Sequence, residues 1–314
     1  MQIELNGLIE DWQFHAACFL AKDLYECFPD SFKKPIYSGM YEVDWRIYIH
    51  ETKRKLKGDY WTFDSTVICF CGDKPLGDYS SLQKWAKENF ALLDYRPSAF
   101  YKMIAYDEYS NTLIKRNRTY ISMAIKIGGD SCAPLLFELY SDIVPKTCEN
   151  FIKLCTGELG TIPKNENENY RMHYLNTIYF RLVPGGWIQG GGMSRKTVLK
   201  SDFPSDIFRG SGDDGRSIYG PKFEDENFVI KHDRRGVLSM VNEGRNTNSS
   251  QFMIIFQPAP WMNCRYVAFG QLLEGFRTLD EMEQVETKND RPCKDIKITE
   301  VKVLSPKDIH SKLQ

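Results

Sequence analysis

Two short apolar runs between Gly236 and Phe256, split by a loop of turn-forming residues, constrain this chain more than any other feature. Gly236-Val-Leu-Ser-Met-Val241 follows a glycine and reads as a buried strand. Asn242 to Ser250 is dense in Asn, Gly, Ser and Thr and reads as a structured loop. Gln251-Phe-Met-Ile-Ile-Phe256 is a second strand; alternation places Gln251, Met253 and Ile255 on one face and Phe252, Ile254 and Phe256 on the other. Asn242 and Gln251 therefore stand at the inner ends of two strands beside apolar groups. Pattern alone leaves two readings open. One is a groove that grips extended backbone through these amides; the other is a buried hairpin whose amides cap a loop.

The surrounding motifs are long and collinear: FELYSDIVPKTCENFIKLCTGE (Phe137 to Glu158), FRLVPGGWIQGG (Phe180 to Gly191), SIYGPKFEDENF (Ser217 to Phe228), then Trp261 and YVAFG (Tyr266 to Gly270). Together they resemble the cyclophilins, the cyclosporin-binding peptidyl-prolyl isomerases, over residues 119–305. The resemblance implies an all-β, eight-stranded antiparallel barrel capped by two helices, Pro145 to Gly157 and Phe276 to Val285. It also implies that Met193 to Phe208, rich in Lys, Ser and Asp, is an insertion: a flexible surface loop or a partner-specific contact.

The chemistry at stake is rotation about an X-Pro bond, against a resonance barrier of ~18–20 kcal/mol. A catalyst holds the prolyl ring and flanking backbone, and donates a hydrogen bond toward the prolyl nitrogen as it pyramidalises. Arginine suits that role, because its charge never titrates away. No covalent intermediate, metal or cofactor is needed. By resemblance Arg181 is the catalytic arginine. Gln189, Asn242, Gln251 and Trp261 stand where the family has its groove residues and would bind proline-containing peptide segments.

Departures from the family pattern crowd the same pocket. Phe180 stands for a histidine, Gly186 for the phenylalanine that floors the proline pocket, and Trp187 for the methionine after it. Val241 and Glu243 replace two alanines, Met253 a phenylalanine, Tyr266 a histidine and Met262 a leucine. Deleting a buried phenylalanine typically costs ~3–5 kcal/mol of packing, whereas ~1.4 kcal/mol at a transition state is already tenfold in rate. Trp187 is placed to refill the pocket, and Glu243 to pair with Arg181 or Arg245. The expectation is an inactive or very weak isomerase.

The amino-terminal third reads β-α-β-α-β-β-α. Its elements are a strand at Ile3 to Ile9, a helix capped by Asp11, a strand at Lys34 to Tyr37, a helix from Val43 to Leu56, a strand at Thr66 to Phe70, a short strand at Leu76 and a helix from Ser80 to Phe90. Its end, VICFCGDKPLGDYSSLQKWA, resembles the closing hairpin and helix of a thioredoxin-like or glutaredoxin-like domain. Redox chemistry in such a domain needs two cysteines where the first helix begins. Gly7-Leu-Ile-Glu-Asp-Trp12 supplies none, and Phe63-Asp-Ser-Thr66 lacks the family's proline. Cys18 has no partner at C-x-x-C spacing, Cys69 and Cys71 read as strand residues, and His15 and His50 as packing residues. Residues 1–95 are therefore expected to be a redox-dead, α+β thioredoxin-like adaptor, 96–118 a linker and 306–314 a polar tail. The basic Lys115-Arg-Asn-Arg118 reads either as a solvated connection or as a contact for an acidic surface such as tubulin.

Composition narrows the partners. At 314 residues with a formal net charge of −1, the chain carries no electrostatic footprint for nucleic acid. It has no run of 18 apolar residues, so no transmembrane helix is expected. MQIELNGLIEDW is acidic and lacks an apolar core, so it does not read as a secretory signal, and a cytoplasmic setting follows. Nine cysteines, mostly in apolar contexts, suit reduced thiols. The preceding domain, the LQKWA helix and the NDRP segment near the end resemble a divergent cyclophilin branch. That resemblance implies an interaction or structural protein in a larger assembly, the ciliary axoneme, with a working folding isomerase as the alternative.

Overall fold

A computed structural model describes residues 1–163, 169–195, 215–305 and 308. The chain divides into two compact units that meet at Arg116 and Asn117.

The first unit is α/β. It runs β1 (Gln2–Leu8), α1 (Trp12–Cys27), β2 (Lys33–Met40), α2 (Glu42–Leu56), β3 (Val67–Cys71), β4 (Lys74–Gly77), α3 (Tyr79–Phe90) and α4 (Ser98–Arg116). The sheet order is β2-β1-β3-β4, with β1 and β2 parallel and the remaining pairs antiparallel. Asp11 caps α1 by accepting the Gln13 N–H at 2.7 Å, and Asp78 caps α3 by accepting the Ser81 N–H at 2.9 Å. Leu5, Leu20, Leu24, Cys69 and Leu82 fill the core between the sheet and the α1/α3 layer. His15 is buried, with Nε2 2.7 Å from the Ile9 carbonyl, whereas His50, read as a packing residue, is exposed.

The segment read as a linker, 96–118, is mostly helix. In α4, Tyr101, Ala105, Tyr109 and Leu113 recur every fourth residue and are all buried. Phe19 of α1 meets the rings of Phe100 and Tyr101 at 5.5 and 5.6 Å. Arg96 donates to Asp23 at 2.6 Å and to Asp94 at 3.3 Å, and Asp94 also accepts from Tyr79 and Tyr101. These contacts make α4 part of the first unit. The basic cluster is likewise engaged: Arg116 lies 4.4 Å from the Tyr41 ring centroid, and Arg118 pairs with Asp142 at 3.0 Å and Glu138 at 3.4 Å.

The second unit is an antiparallel barrel. It contains β5 (Thr119–Ile127), β6 (Leu135–Leu139), α5 (Pro145–Thr156), β7 (Ile178–Tyr179), β8 (Arg181–Val183), β9 (Trp187–Gly190), β10 (Val237–Met240), β11 (Phe252–Ile255), β12 (Ala268–Glu274), α6 (Phe276–Glu283) and β13 (Ile296–Leu304). Hydrogen bonding runs β7-β13-β5-β6-β12-β10-β11-β9-β8. The two ends of that path, β7 and β8, are consecutive in sequence and separated only by Phe180. Counted as one strand broken at Phe180, they close an eight-stranded ring among the described residues. Closure removes the exposed sheet edge.

Inside the ring, Phe252 of β11 is ringed by Phe151 of α5 at 5.2 Å, Tyr174 at 5.1 Å and Tyr179 at 5.8 Å. Each fully buried side chain of this kind contributes ~1.5–3 kcal/mol of transfer free energy. Helix α5 opens on Pro145, and Glu226 of the FEDENF motif caps it, accepting the N–H groups of Lys146 and Thr147 at 2.9 and 2.8 Å. It closes on Gly157 at φ 69°, where a side chain would strike the His173 ring. The expected insertion at Met193 to Phe208 lies, from residue 196 on, outside the described residues, as does the tail apart from Asp308.

Candidate functional site: an apolar groove on the barrel wall

Strand register assembles the site. Arg181 on β8 faces Gln189 on β9, Gln189 faces Met253 on β11, and Met253 faces Ser239 on β10. In the next row Val183, Trp187 and Ile255 stand side by side. Period-two alternation sends both rows to the outer face of the barrel. Met253, Ile255, Met262 and Ala268 form a buried apolar floor there, with Trp187, Val241 and Tyr266 packed against it.

Trp187, next to the substituted position Gly186, packs against this floor. Its ring centroid lies 5.5 Å from the Arg181 guanidinium carbon and 5.8 Å from the Trp261 ring. Trp261 in turn meets Tyr266 edge-on at 6.4 Å. The indole thus spans from the arginine to the outer tryptophan, while Gly186, the substituted floor position, is held in a turn by its N–H to the Val183 carbonyl at 2.9 Å. A neighbouring carboxylate, Glu283 of α6, accepts the Gly185 N–H at 3.1 Å and fixes that turn.

Arg181 is not presented alone. Its guanidinium donates to Asp290 Oδ2 at 3.1 Å, and the backbone beside it is bound by the same residue, the Leu182 N–H donating to the Asp290 carbonyl at 2.7 Å. Asp290 sits with Asn289 at the tip of a two-stranded hairpin, Thr287–Lys288 against Arg291–Pro292, both tip residues at positive φ. Sequence reasoning missed this partner. The signal was present as an Asn-Asp turn pair, but nothing local says which strand the turn lands on. Glu243 pairs with Lys222, not with Arg181 or Arg245, which corrects that expectation.

The polar groove residues are engaged within the protein. The Gln189 side-chain amide donates to Gln251 Oε1 at 2.8 Å, both residues being buried. The Asn242 amide donates to the Arg265 carbonyl at 2.8 Å and its oxygen accepts the Gly244 N–H at 3.3 Å. Phe180 is half-buried at the strand break, with its N–H on the Gln189 carbonyl at 3.1 Å. Beneath the floor, His232 is fully buried. Its Nε2 lies 2.9 Å from Ser239 Oγ, and Asn263 Oδ1 accepts both its backbone N–H at 2.9 Å and a bond to ring Nδ1 at 3.1 Å. Burial pushes its imidazole pKa down. This lock fixes the loop that carries Trp261. Among the described residues no cluster of ligating side chains could hold a metal, and no helix is long and apolar enough to cross a membrane.

Residues 120–303 match the cyclophilin type peptidyl-prolyl cis-trans isomerase/CLD family. The chain belongs to that family. It is 41% identical over 299 residues to a Bos taurus protein named "Probable inactive peptidyl-prolyl cis-trans isomerase-like 6", covering 95% of this chain and 92% of the relative. The Homo sapiens protein of the same name is also 41% identical, over 96% of this chain and 91% of its own. A crystal structure of a Cryptosporidium parvum cyclophilin type peptidyl-prolyl cis-trans isomerase covers 60% of this chain and 98% of its own, at 32% identity and a TM-score of 0.47. Within this cyclophilin, then, the barrel is whole, while the site has an arginine occupied by a carboxylate and an indole where the family keeps a methionine.

Proposed function

We propose that this protein is a catalytically silent or very weak cyclophilin whose groove serves as an interaction surface within a larger assembly. The observation that carries the reading is the engagement of Arg181 from two sides, by Asp290 and by Trp187. Catalysis would need that guanidinium to reach a prolyl nitrogen, and the Trp187 indole packs against both it and Trp261. The names of the relatives support the same reading. The amino-terminal unit, whose β-α-β-α-β-β-α order is followed by α4 and which has no cysteine at the start of α1, acts as a thioredoxin-like adaptor without redox chemistry. The setting that the resemblance implies is the ciliary axoneme, with tubulin and axonemal proteins as partners.

The test is a prolyl isomerisation assay on the full chain, followed by NMR exchange on an Ala-Pro-Phe peptide, beside Arg181→Ala. Equal rates for both proteins, at the uncatalysed level, are expected. A rate that vanishes in Arg181→Ala would establish the alternative, a working folding isomerase in which Trp187 and Tyr266 rebuild the pocket.

A further inference from the structure

The charges around the groove are unevenly satisfied. Two carboxylates near the groove are ion-paired, Asp290 with Arg181 and Glu243 with Lys222, and a third, Asp225, accepts the Asn246 N–H and the Asn248 side-chain amide. Three exposed arginines have no ion-pair partner among the described residues. Arg265 directly precedes Tyr266, and its carbonyl is bound by the Asn242 amide, so it stands at the groove wall. Arg245 lies on the loop that Asn242 opens, a loop held tight by Thr247 Oγ1 donating to the Gly244 carbonyl at 2.7 Å. Arg291 follows Asp290 on the hairpin that grips Arg181, at the other end. Unpaired positive charge therefore flanks both ends of an apolar, aromatic floor. Trp261, at 51% exposure, offers a free ring face between them.

We infer that the groove takes an extended acidic segment of a partner protein, apolar at its centre and carrying carboxylates on both sides. This rests on the reading of the groove as a binding surface and names the partner's chemistry. The floor and Trp261 would hold the apolar centre. Arg245 and Arg265 would meet carboxylates on one side and Arg291 on the other, through charge-assisted hydrogen bonds that arginine forms in bidentate geometry. A basic segment would meet like charge at both ends, so the rim selects by repulsion as well as attraction.

The experiment uses two dye-labelled peptides on the full chain, each with Ala-Pro-Phe at its centre, flanked on both sides by glutamates in one and by lysines in the other. Fluorescence anisotropy is expected to show the acidic peptide binding at least about tenfold tighter in low salt, with the margin shrinking once ionic strength shortens the Debye length from about 10 Å toward 3 Å. The double variant Arg245→Glu with Arg265→Glu, both exposed and outside the core, is expected to lose or invert the preference. Equal affinity for the two peptides, a preference for the basic one, or binding of neither overturns the inference. Turnover of the bound acidic peptide would overturn the silent reading and leave the charge preference standing.

Discussion

Asp290 holds Arg181 twice, by a carboxylate oxygen 3.1 Å from the guanidinium and by a carbonyl that accepts the N–H of the next residue, Leu182. The backbone bond positions the hairpin and the side-chain bond occupies the charge. The two contacts have different consequences, because only the second can be removed by changing a side chain.

Asp290→Asn keeps the backbone bond and removes the charge. Arg181 and Asp290 are each about half exposed, 47% and 48% at their side chains, and exposed pairs are worth ~0.2–1 kcal/mol. Releasing the arginine is therefore expected to raise isomerisation by no more than about fivefold, read by the same NMR exchange assay. A gain of two orders of magnitude would show that Asp290 alone silences the site.

Gly186→Phe, which restores the family's aromatic floor, is expected to fail. A side chain there would start 3.1 Å from Val183 Cγ1 and 3.3 Å from the Val183 carbonyl oxygen. Overpacking of this kind costs ~1–3 kcal/mol. Urea unfolding should show the lost stability, and the exchange assay no gain; recovered turnover with unchanged stability would contradict the occupied-pocket account.

Asp94→Ala should loosen α4. The Asp94 side chain is 1% exposed and accepts from Tyr79, Arg96 and Tyr101. Removing it leaves a partly buried arginine without one carboxylate and two hydroxyls without their acceptor, at a cost of ~3 kcal/mol or more. Amide hydrogen exchange across Ser98–Arg116 is expected to accelerate, while the barrel strands keep their protection. An unchanged α4 would mean that the aromatic contacts with Phe19 suffice.

His232 makes stability depend on pH. Burial lowers its folded pKa below the ordinary 6.5. In the window between the two values the unfolded chain binds more protons than the folded one, so stability rises with pH. It is full above about 6.5 and drains as pH falls toward the folded value. Urea unfolding at neutral and mildly acidic pH should show this loss, and a flatter profile in His232→Gln. Identical profiles would assign the effect to other groups, His173 among them, whose pKa burial also lowers.

Thiol reactivity checks the absence of redox chemistry. Cys27, Cys264 and Cys293 are exposed, whereas Cys69, Cys148 and Cys155 are buried, where desolvation pushes their thiols up. An aromatic disulfide reagent is expected to titrate three thiols quickly, with the buried three reacting only after unfolding. Fast reaction at Cys18 or Cys69 would reopen a redox role.

Much of this architecture was legible because local chemistry decides it. A capping aspartate marks α1, period-two alternation gives the faces of β11, and Pro145 opens α5 as read. Helix α4 shows where reading failed. Its Tyr101, Ala105, Tyr109 and Leu113 stripe carries a helical period, yet it sits after Pro97 among polar residues, and a stripe becomes a core face only when a partner surface exists. Phe19 of α1, 82 positions before Tyr101, and the Asp23–Arg96 pair, 73 positions apart, supply that surface.

The sequence by itself determined the two strands around the Asn242–Ser250 loop and which residues of the second share a face, since strand period and turn chemistry act over a few residues; the barrel and the role of Arg181 came through resemblance to a family. Only the tertiary structure decided what those residues touch. It brought Asp290 onto Arg181 across 109 positions, laid Trp187 against both that arginine and Trp261, and gave Glu243 to Lys222. Such pairings depend on where a closed barrel returns each loop, and no local propensity encodes that distance.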